Sequence, residues 1–175
     1  MSRQHGDETL INFNYRCTIC SATYEIRPEY TVCPQCAQDQ KVDQPLHGIL
    51  EVELHGSNGD GFNIGELLPV EPGFFPSIPV GNTPLWEPRR LRELTGLNNL
   101  FIKDDGANPT SSFKDRASWL VSAAANKFGI GEITLASTGN AGSSMAGIGA
   151  AAGQHINLFL PKSAPPAKLV QALQY

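Results

Sequence analysis

Residues 133–142 read Ile-Thr-Leu-Ala-Ser-Thr-Gly-Asn-Ala-Gly, an apolar, β-rich run that passes directly into a polar glycine loop. A helical pattern of small residues follows, from Ser143 to about Ala152. The stretch therefore predicts a strand, a loop and a helix. Such a junction points backbone N–H groups and the positive end of a helix dipole at the loop, which suits a carboxylate or a phosphate. The alternative is that Gly139 and Gly142 only permit a tight turn and close helix packing.

A second polar turn precedes another helical pattern. Residues 108–116 read Asn-Pro-Thr-Ser-Ser-Phe-Lys-Asp-Arg. Asn-Pro favours a turn, and Ser111 or Ser112 can cap the N–H groups of a helix that begins near Phe113 and ends at Gly129. This places a lysine in the first turn of the predicted helix.

Lys114 is out of place electrostatically. The N-terminus of a helix carries partial positive charge, and Asp115 relieves only part of its repulsion with the ammonium group. The same field favours the neutral amine, which is the nucleophilic form of lysine. The lysine is therefore a candidate catalytic residue. The alternative is a solvated lysine beside two other charges.

Strand and helix patterns alternate after Val80. This order predicts an α/β fold with a parallel open sheet and crossover helices. Ligands bind beyond the carboxyl ends of the strands in such sheets. Lys114 and the loop 137–142 both follow a predicted strand, so we expect them to share one crevice. The predicted strands are 100–103, 133–136 and 156–160, and the predicted helices start near residues 91, 113, 143 and 166.

Three segments together resemble those of a known enzyme family. Residues 80–85, Val-Gly-Asn-Thr-Pro-Leu, precede the lysine segment 108–116 and the glycine loop 137–142 in the order and at the separation found in fold-type II pyridoxal-phosphate enzymes. Within that superfamily the chain is most similar to threonine synthases, over roughly residues 79–175. The resemblance implies pyridoxal 5'-phosphate as cofactor. It also implies a lyase that converts O-phosphohomoserine and water to threonine and phosphate by β,γ-replacement.

The resemblance implies roles for individual residues. Lys114 would bond covalently to the cofactor and then move protons on the substrate carbons. Phe113 would flank the cofactor ring, and Asn140 would hydrogen-bond the cofactor's phenolic oxygen. The family usually has glycine at the position of Ser111, so we expect the cap to differ there. The residues that would bind the substrate carboxylate are Ser137, Thr138, Gly139 and Ala141.

All four cysteines occur in two C-x2-C pairs, Cys17 with Cys20 and Cys33 with Cys36. Four thiolates from two such pairs can complete a tetrahedron around a closed, structural zinc ion. Iron in a rubredoxin-like site uses the same ligands, and two disulfides are a further alternative. A redox C-x-x-C motif requires a βαβ context. The flanking residues 13–16 and 23–26 instead predict short hairpin strands. Resemblance to the zinc-ribbon-like N-termini of some threonine synthases favours zinc.

Composition indicates an ordinary globular chain, with 41% hydrophobic and 17% charged residues and a net charge of −4. A basic stripe with interleaved aromatic residues is absent, so we expect no nucleic-acid partner. The longest stretch of low polarity, residues 145–153, is far shorter than the roughly 20 apolar residues of a membrane span. We therefore expect a cytoplasmic protein without a membrane partner. The family resemblance implies a homodimer and a small amino-acid substrate.

The sequence predicts three regions. Residues 1–54 form a zinc-ribbon-like β module, residues 55–79 an exposed connector, and residues 80–175 the N-terminal part of a pyridoxal-phosphate dependent α/β domain. The last helical pattern reaches Tyr175 without a capping signal. The chain contains no candidate for the family's glycine-rich phosphate loop or for its partner of the pyridine nitrogen. We expect these 175 residues alone to be inactive and poorly stable.

Two other functions fit the same sequence. A cysteate synthase or a threonine dehydratase would share every motif described above. A different class of protein would be a zinc-ribbon interaction module joined to an inactive enzyme remnant. Loss of Lys114 or of the Asn140 loop would indicate such a remnant, and both are present.

Overall fold

The structure, a computed structural model, describes residues 11–56, 64–164 and 166–175. Residues 57–63 of the predicted connector lie outside this part of the chain. The chain forms two compact units, Met1–Glu71 and Pro72–Tyr175. None of the helices in the described ranges combines the length and the hydropathy that a membrane-spanning segment requires.

The first unit contains a three-stranded antiparallel sheet in the order β2-β1-β3. Its strands are β1 (Asn12–Cys17), β2 (Thr23–Tyr24) and β3 (Leu50–His55). Tyr15 of β1 lies opposite Tyr24 on one side and opposite Val52 on the other. The two predicted hairpin strands are confirmed, although β2 is two residues shorter than expected. β3 was not predicted, although Leu-Glu-Val-Glu-Leu has the apolar–polar alternation of a half-buried strand.

The second unit alternates strands and helices, as the sequence predicts for an α/β fold. Short 3-10 helices cover Pro72–Phe74 and Asp105–Ala107 in this unit, and Cys36–Asp39 and Ile64–Leu67 in the first. The strands and helices of the second unit are β4 (Leu85–Trp86), α1 (Arg89–Thr95), β5 (Ile102–Lys103), α2 (Lys114–Lys127), β6 (Glu132–Ala136), α3 (Asn140–Ala152), β7 (His155–Phe159) and α4 (Pro166–Leu173).

β6 and β7 pair in parallel, with Ile133 opposite Ile156, and α3 is the crossover helix between them. This βαβ unit confirms a parallel sheet with a crossover helix. The predicted strand 100–103 does not join that sheet. It forms β5, which pairs antiparallel with β4 in a separate two-stranded sheet, where the Lys103 ammonium donates to the Thr83 carbonyl. Within the described residues the parallel sheet therefore has two strands.

The end of α2 agrees with the prediction that the helix stops at Gly129. This glycine has φ +67°, and the N–H of Ile130 donates to the Ala125 carbonyl at 2.8 Å. The Gly129 N–H donates to the Asn126 carbonyl at 3.2 Å, which completes a Schellman motif. A residue with a side chain would be strained in this left-handed conformation, so the glycine terminates the helix.

α3 begins at Asn140, three residues before the predicted start at Ser143. The small residues of this helix let it pack directly on its neighbours. A Cβ atom at Gly149 would lie 2.4 Å from Ile156 Cγ1, and one at Gly147 would lie 2.6 Å from Thr110 Cγ2. α3 therefore contacts both β7 and the segment that precedes α2.

Candidate functional sites

Lys114 is the first residue of α2, within one residue of the predicted helix start. The N-cap residue is Phe113, which makes no side-chain cap, so the predicted serine cap is not formed at that position. The Lys114 backbone N–H instead donates to Ser112 Oγ, one residue earlier, at 3.3 Å. The ammonium lies 4.4 Å from the centroid of the Phe113 ring, and an aromatic face attracts a cation. Phe113 is 57% exposed and Lys114 is half-buried. Lys114 and Phe113, two of the three residues predicted to contact the cofactor, thus contact each other.

Ser111 has φ +60°, in the left-handed region that favours glycine. This conformation gives a physical reason for the glycine that the family usually has here. The Ser111 N–H donates to the Asn108 carbonyl at 2.8 Å and closes the turn that Asn-Pro predicts. The serine therefore keeps the backbone path of a glycine, and the segment still delivers Lys114 to the start of α2.

Asp115 faces the protein interior. Its carboxylate is fully buried and accepts the Thr110 backbone N–H at 2.7 Å and also the Thr110 hydroxyl. From the sequence we expect Asp115 only to offset part of the lysine charge, and the contact with Thr110 is visible only in the structure. The carboxylate closes the turn before α2, and it is also favourable in the first turn of a helix. Lys114 and Asp115 therefore point to different surroundings.

Asp105 and Arg116 form a two-point ion pair. Arg116 donates from Nε to Asp105 Oδ2 at 3.0 Å and from a terminal nitrogen to Oδ1 at 2.8 Å. The Thr83 hydroxyl donates to the same carboxylate at 2.6 Å. The guanidinium, followed by the threonine hydroxyl, holds the pKa of Asp105 well below its usual range. Because Thr83 contacts the same carboxylate, the ion pair connects the 80–85 segment to α2.

Asn108 makes a second connection to the 80–85 segment. This residue is buried, and its side-chain oxygen accepts the Gly81 N–H at 3.0 Å. Gly81 has φ +81°, and a Cβ there would lie 2.9 Å from the Arg116 guanidinium. The first two segments that carry the family resemblance are thus held together by side-chain contacts that the sequence pattern did not reveal.

The loop 137–142 is organised by Ser137. Its hydroxyl oxygen accepts the N–H of Gly139 at 3.3 Å and that of Gly142 at 3.0 Å. Thr138 and Asn140 are exposed, and Ala141 is half-buried. Ser137 therefore fixes the loop conformation, while Thr138 and Asn140 present their side chains to the surface.

The two glycines of this loop have different surroundings. A Cβ at Gly142 would lie 2.8 Å from the Ser137 carbonyl oxygen and 3.1 Å from Leu158, so close packing requires this glycine. At Gly139 a Cβ would meet no atom within 4 Å among the residues that the structure describes, and φ is −120°. Packing and backbone strain therefore do not explain Gly139. A bare backbone beside open space suits the close approach of a ligand.

Three contacts show that α2 and α3 run in the same direction. Ser144 Oγ donates to Ser118 Oγ at 2.7 Å near the start of both helices. Near their ends, Ser122 Oγ donates to the Gln154 side chain at 2.7 Å, and that side chain donates to Asn126 Oδ1 at 2.8 Å. The N-termini of α2 and α3 consequently lie at the same end of the pair.

This orientation brings the two predicted site segments to one place. Lys114 precedes Ser118 by one helical turn, and Asn140 precedes Ser144 by one turn, which is about 6 Å along each axis. Both residues lie beyond the Ser118–Ser144 contact, at the carboxyl end of β6. The expected common crevice is consistent with this geometry, whereas the individual roles of the residues remain predictions.

The four cysteines form one cluster in the first unit. They are free thiols, so the disulfide alternative does not hold in this structure. Their Sγ atoms all lie within 4.8 Å of one another, with 3.8 Å between Cys17 and Cys36 and 3.7 Å between Cys20 and Cys33. A tetrahedron with Zn–S bonds of about 2.3 Å has S–S edges of about 3.8 Å. The cluster therefore fits a tetrahedral metal ion, and iron would use the same ligand set.

The cysteine cluster is asymmetric. Cys17 and Cys33 are fully buried, whereas Cys20 is exposed. Tyr24 Oη lies 3.2 Å from Cys33 Sγ, and this hydroxyl lowers the pKa of the Cys33 thiol. Burial raises the pKa of Cys36. Gly48 has φ +78°, and a Cβ there would lie 2.9 Å from Cys36 Cβ and 3.0 Å from Cys33 Cβ. The backbone thus approaches the second cysteine pair closely enough to require glycine.

Comparison with protein families identifies the second unit. Residues 77–175 match the model of a family described as pyridoxal-phosphate dependent enzymes. The match includes Lys114 and the loop 137–142, whereas the cysteine cluster lies outside it.

Individual relatives extend over most of the chain. The chain is 31% identical over 166 residues to a threonine synthase of Methanocaldococcus jannaschii, covering 91% of this chain and 41% of the relative. A threonine synthase of Methanosarcina acetivorans is 32% identical over 166 residues, covering 93% of this chain and 41% of the relative. One from Halalkalibacterium halodurans is 38% identical over 112 residues, covering 63% and 31%. The chain thus spans about two fifths of the length of the first two relatives.

Proposed function

Because this chain belongs to the family of pyridoxal-phosphate dependent enzymes, we propose that the protein is a threonine synthase that converts O-phosphohomoserine and water to threonine and phosphate. The observation that carries the proposal is the position of Lys114 at the N-terminus of α2. The start of α3 and the loop 137–142 lie at the same end of this helix pair. The similarity to threonine synthases over more than nine tenths of the chain supports the choice of reaction.

Lys114 is the residue that would hold the cofactor. Pyridoxal phosphate, when bound, serves as an electron sink for carbanion chemistry, and the protein supplies binding and orientation. The Lys114 amine is the group on this segment that can attack a carbonyl carbon and carry a proton. The Phe113 ring contacts the lysine and offers an apolar face for a planar cofactor. Asn140, exposed at the first residue of α3, has an amide that would hydrogen-bond the cofactor oxygen.

The loop at the start of α3 would bind the substrate carboxylate. N–H groups in the first turn of a helix lack acceptors within that helix, and the dipole favours an anion there. The open space at Gly139 would let a carboxylate reach the backbone. Thr138 is exposed and would add a hydroxyl donor, whereas Ser137 would act by holding the loop. Ala141 is the fourth residue proposed to line the carboxylate site.

The cysteine cluster would hold a structural zinc ion. Four thiolate ligands leave no coordination site for water or substrate, so this metal would stabilise the first unit without taking part in the reaction. We propose a cytoplasmic location, as expected from the sequence, and a homodimer, as the family resemblance implies.

An assay of the full-length gene product with three substrates tests the reaction. We expect phosphate and threonine from O-phosphohomoserine. Phosphate release from O-phosphoserine alone would favour a cysteate synthase, and consumption of threonine alone would favour a threonine dehydratase. A protein that acts on none of the three and does not bind pyridoxal phosphate would favour an interaction module on an inactive remnant.

A further inference from the structure

We propose that the Tyr24 hydroxyl donates a hydrogen bond to the metal-bound sulfur of Cys33 and thereby strengthens metal binding. Tyr24 would support the ligand without coordinating the metal itself. The inference rests on the proposed cysteine metal site and is independent of the reaction catalysed by the second unit. The geometric basis is the distance of 3.2 Å between Tyr24 Oη and Cys33 Sγ, which is short for a hydrogen bond to sulfur.

The direction of this hydrogen bond follows from the chemistry of the site. Either atom could donate when Cys33 is a thiol. Metal binding requires the thiolate, which has no proton to give. Tyr24 must then be the donor. A hydrogen bond to a charged acceptor is about twice as strong as one between neutral groups, so the contact becomes stronger when the metal binds.

Tyr24 is held in place by contacts on two sides. Its backbone pairs with Tyr15 of β1, and its ring packs on Tyr30 with a centroid distance of 5.2 Å. The ring also packs against the buried cysteine cluster. The hydroxyl therefore needs little reorganisation to meet Cys33, which is fully buried. Preorganised donors of this kind orient and stabilise the ligands of metal sites.

Tyr24→Phe tests the proposal because it removes only the hydroxyl and keeps the ring. Tyr30→Phe is the matched control, since it makes the same change on the neighbouring ring. Zinc affinity is measured for the full chain by competition with a chromophoric chelator. Loss of an outer-ligand contact typically lowers metal affinity by 10–100-fold, and we expect a loss of about that size for Tyr24→Phe. We expect a change of less than about threefold for Tyr30→Phe, because no sulfur contact is lost.

The absorption spectrum of the cobalt-loaded protein separates this role from ring packing. Loss of the O–H donor leaves more electron density on the Cys33 sulfur, so the sulfur-to-cobalt charge-transfer band should move to lower energy at full metal occupancy. Tyr24→His, which restores an N–H donor, should recover part of the affinity. Far-UV circular dichroism of the saturated proteins shows whether each variant folds.

Three outcomes would overturn the inference. Equal zinc affinity and equal cobalt spectra for Tyr24→Phe and the unmodified protein would remove the role of the hydroxyl while leaving the metal site intact. A variant that fails to fold when saturated with metal would assign Tyr24 to packing. Absence of zinc and cobalt binding by the unmodified protein would remove the metal site itself, and with it this inference.

Discussion

Two adjacent residues at the start of α2 have opposite surroundings. The Lys114 ammonium lies on the face of a largely exposed aromatic ring, whereas the Asp115 carboxylate is fully buried and bonded to Thr110. A buried carboxylate is favourable only when its oxygens accept hydrogen bonds, and Thr110 supplies two. Thr110 also contacts the position of Gly147 in α3. Asp115 thus positions the turn that carries the lysine and connects it to the neighbouring helix.

Asp115→Ala should destabilise the second unit by about 2 kcal/mol or more, because each buried polar group left without a partner costs about 1–3 kcal/mol. The variant leaves the Thr110 N–H and hydroxyl without their acceptor. Urea unfolding followed by circular dichroism measures the free energy of unfolding.

Glu93→Ala is the matched control for this measurement. It also replaces a carboxylate by alanine in a helix of the second unit, but its side chain is exposed, so we expect a change within about 0.5 kcal/mol. Equal stability of the two variants would show that the Thr110 contact contributes little.

Among single residues, the sequence identified those whose chemistry is unusual for their position. Lys114 conflicts with the helix dipole, and the four cysteines are all paired at one spacing, so both could be recognised without coordinates. Asp115 could not be, because an aspartate in the first turn of a helix is ordinary and only its contact with Thr110 shows that it is buried. Tyr24 was missed for the same reason. Its partner Cys33 is nine residues away and meets it only after the chain folds.

Among the elements, α3 depends most on small residues. Gly147 and Gly149 let the helix approach Thr110 and Ile156 so closely that an added Cβ would overlap their side chains. Glycine inside a helix costs about 0.5–1 kcal/mol relative to alanine through its freedom in the unfolded chain. Close packing of the helix on the sheet offsets this cost. The same packing places the start of α3 beside the start of α2.

Gly149→Ala should therefore destabilise the second unit, although alanine favours helices. The new Cβ would lie 2.4 Å from Ile156 Cγ1, and overpacking of this kind typically costs about 1–3 kcal/mol. Gly131→Ala, where a Cβ meets nothing within 4 Å, serves as the control and should be neutral or slightly stabilising. Thermal unfolding of both variants distinguishes the two effects. A more stable Gly149→Ala protein would contradict the close packing of α3 on β7.

The sequence predicted most elements and misplaced two features for physical reasons. Helix starts depend on caps. α3 begins before its predicted start because Ser137, in the loop that precedes the helix, accepts the Gly142 N–H with its hydroxyl oxygen. Residues 100–103 have the composition of a buried strand, but the partner of a strand is set by tertiary contacts. The contact of Lys103 with Thr83 belongs to the antiparallel pairing of β5 with β4.

At the scale of the whole molecule, the two units are stabilised by different means. The buried apolar cluster of the first unit consists of Cys17, Cys33 and Cys36, with Tyr24 and Leu50 packed against it. A core of this size buries little apolar surface, so we expect the unit to depend on the proposed metal ion. The second unit has helices and strands that pack through Ile148 and other buried residues of α2 and α3.

Removal of metal should therefore unfold the first unit selectively. We expect a chelator to lower the unfolding temperature of residues 11–56 while the second unit keeps its own transition. Hydrogen exchange resolved by peptide assigns each transition to its unit. Replacement of zinc should restore protection in β1 and β3. An unchanged melting profile after complete metal removal, verified by elemental analysis, would contradict a structural metal.

Borohydride reduction shows whether Lys114 is the lysine that binds pyridoxal phosphate. The full-length gene product is mixed with the cofactor, reduced and mapped by peptide mass spectrometry. We expect a phosphopyridoxyl group confined to Lys114. Lys114→Ala should abolish this adduct, and Lys127→Ala, a change at the other end of α2, should leave it intact. Absence of an adduct at Lys114, or labelling spread over many surface lysines, would contradict this role of Lys114.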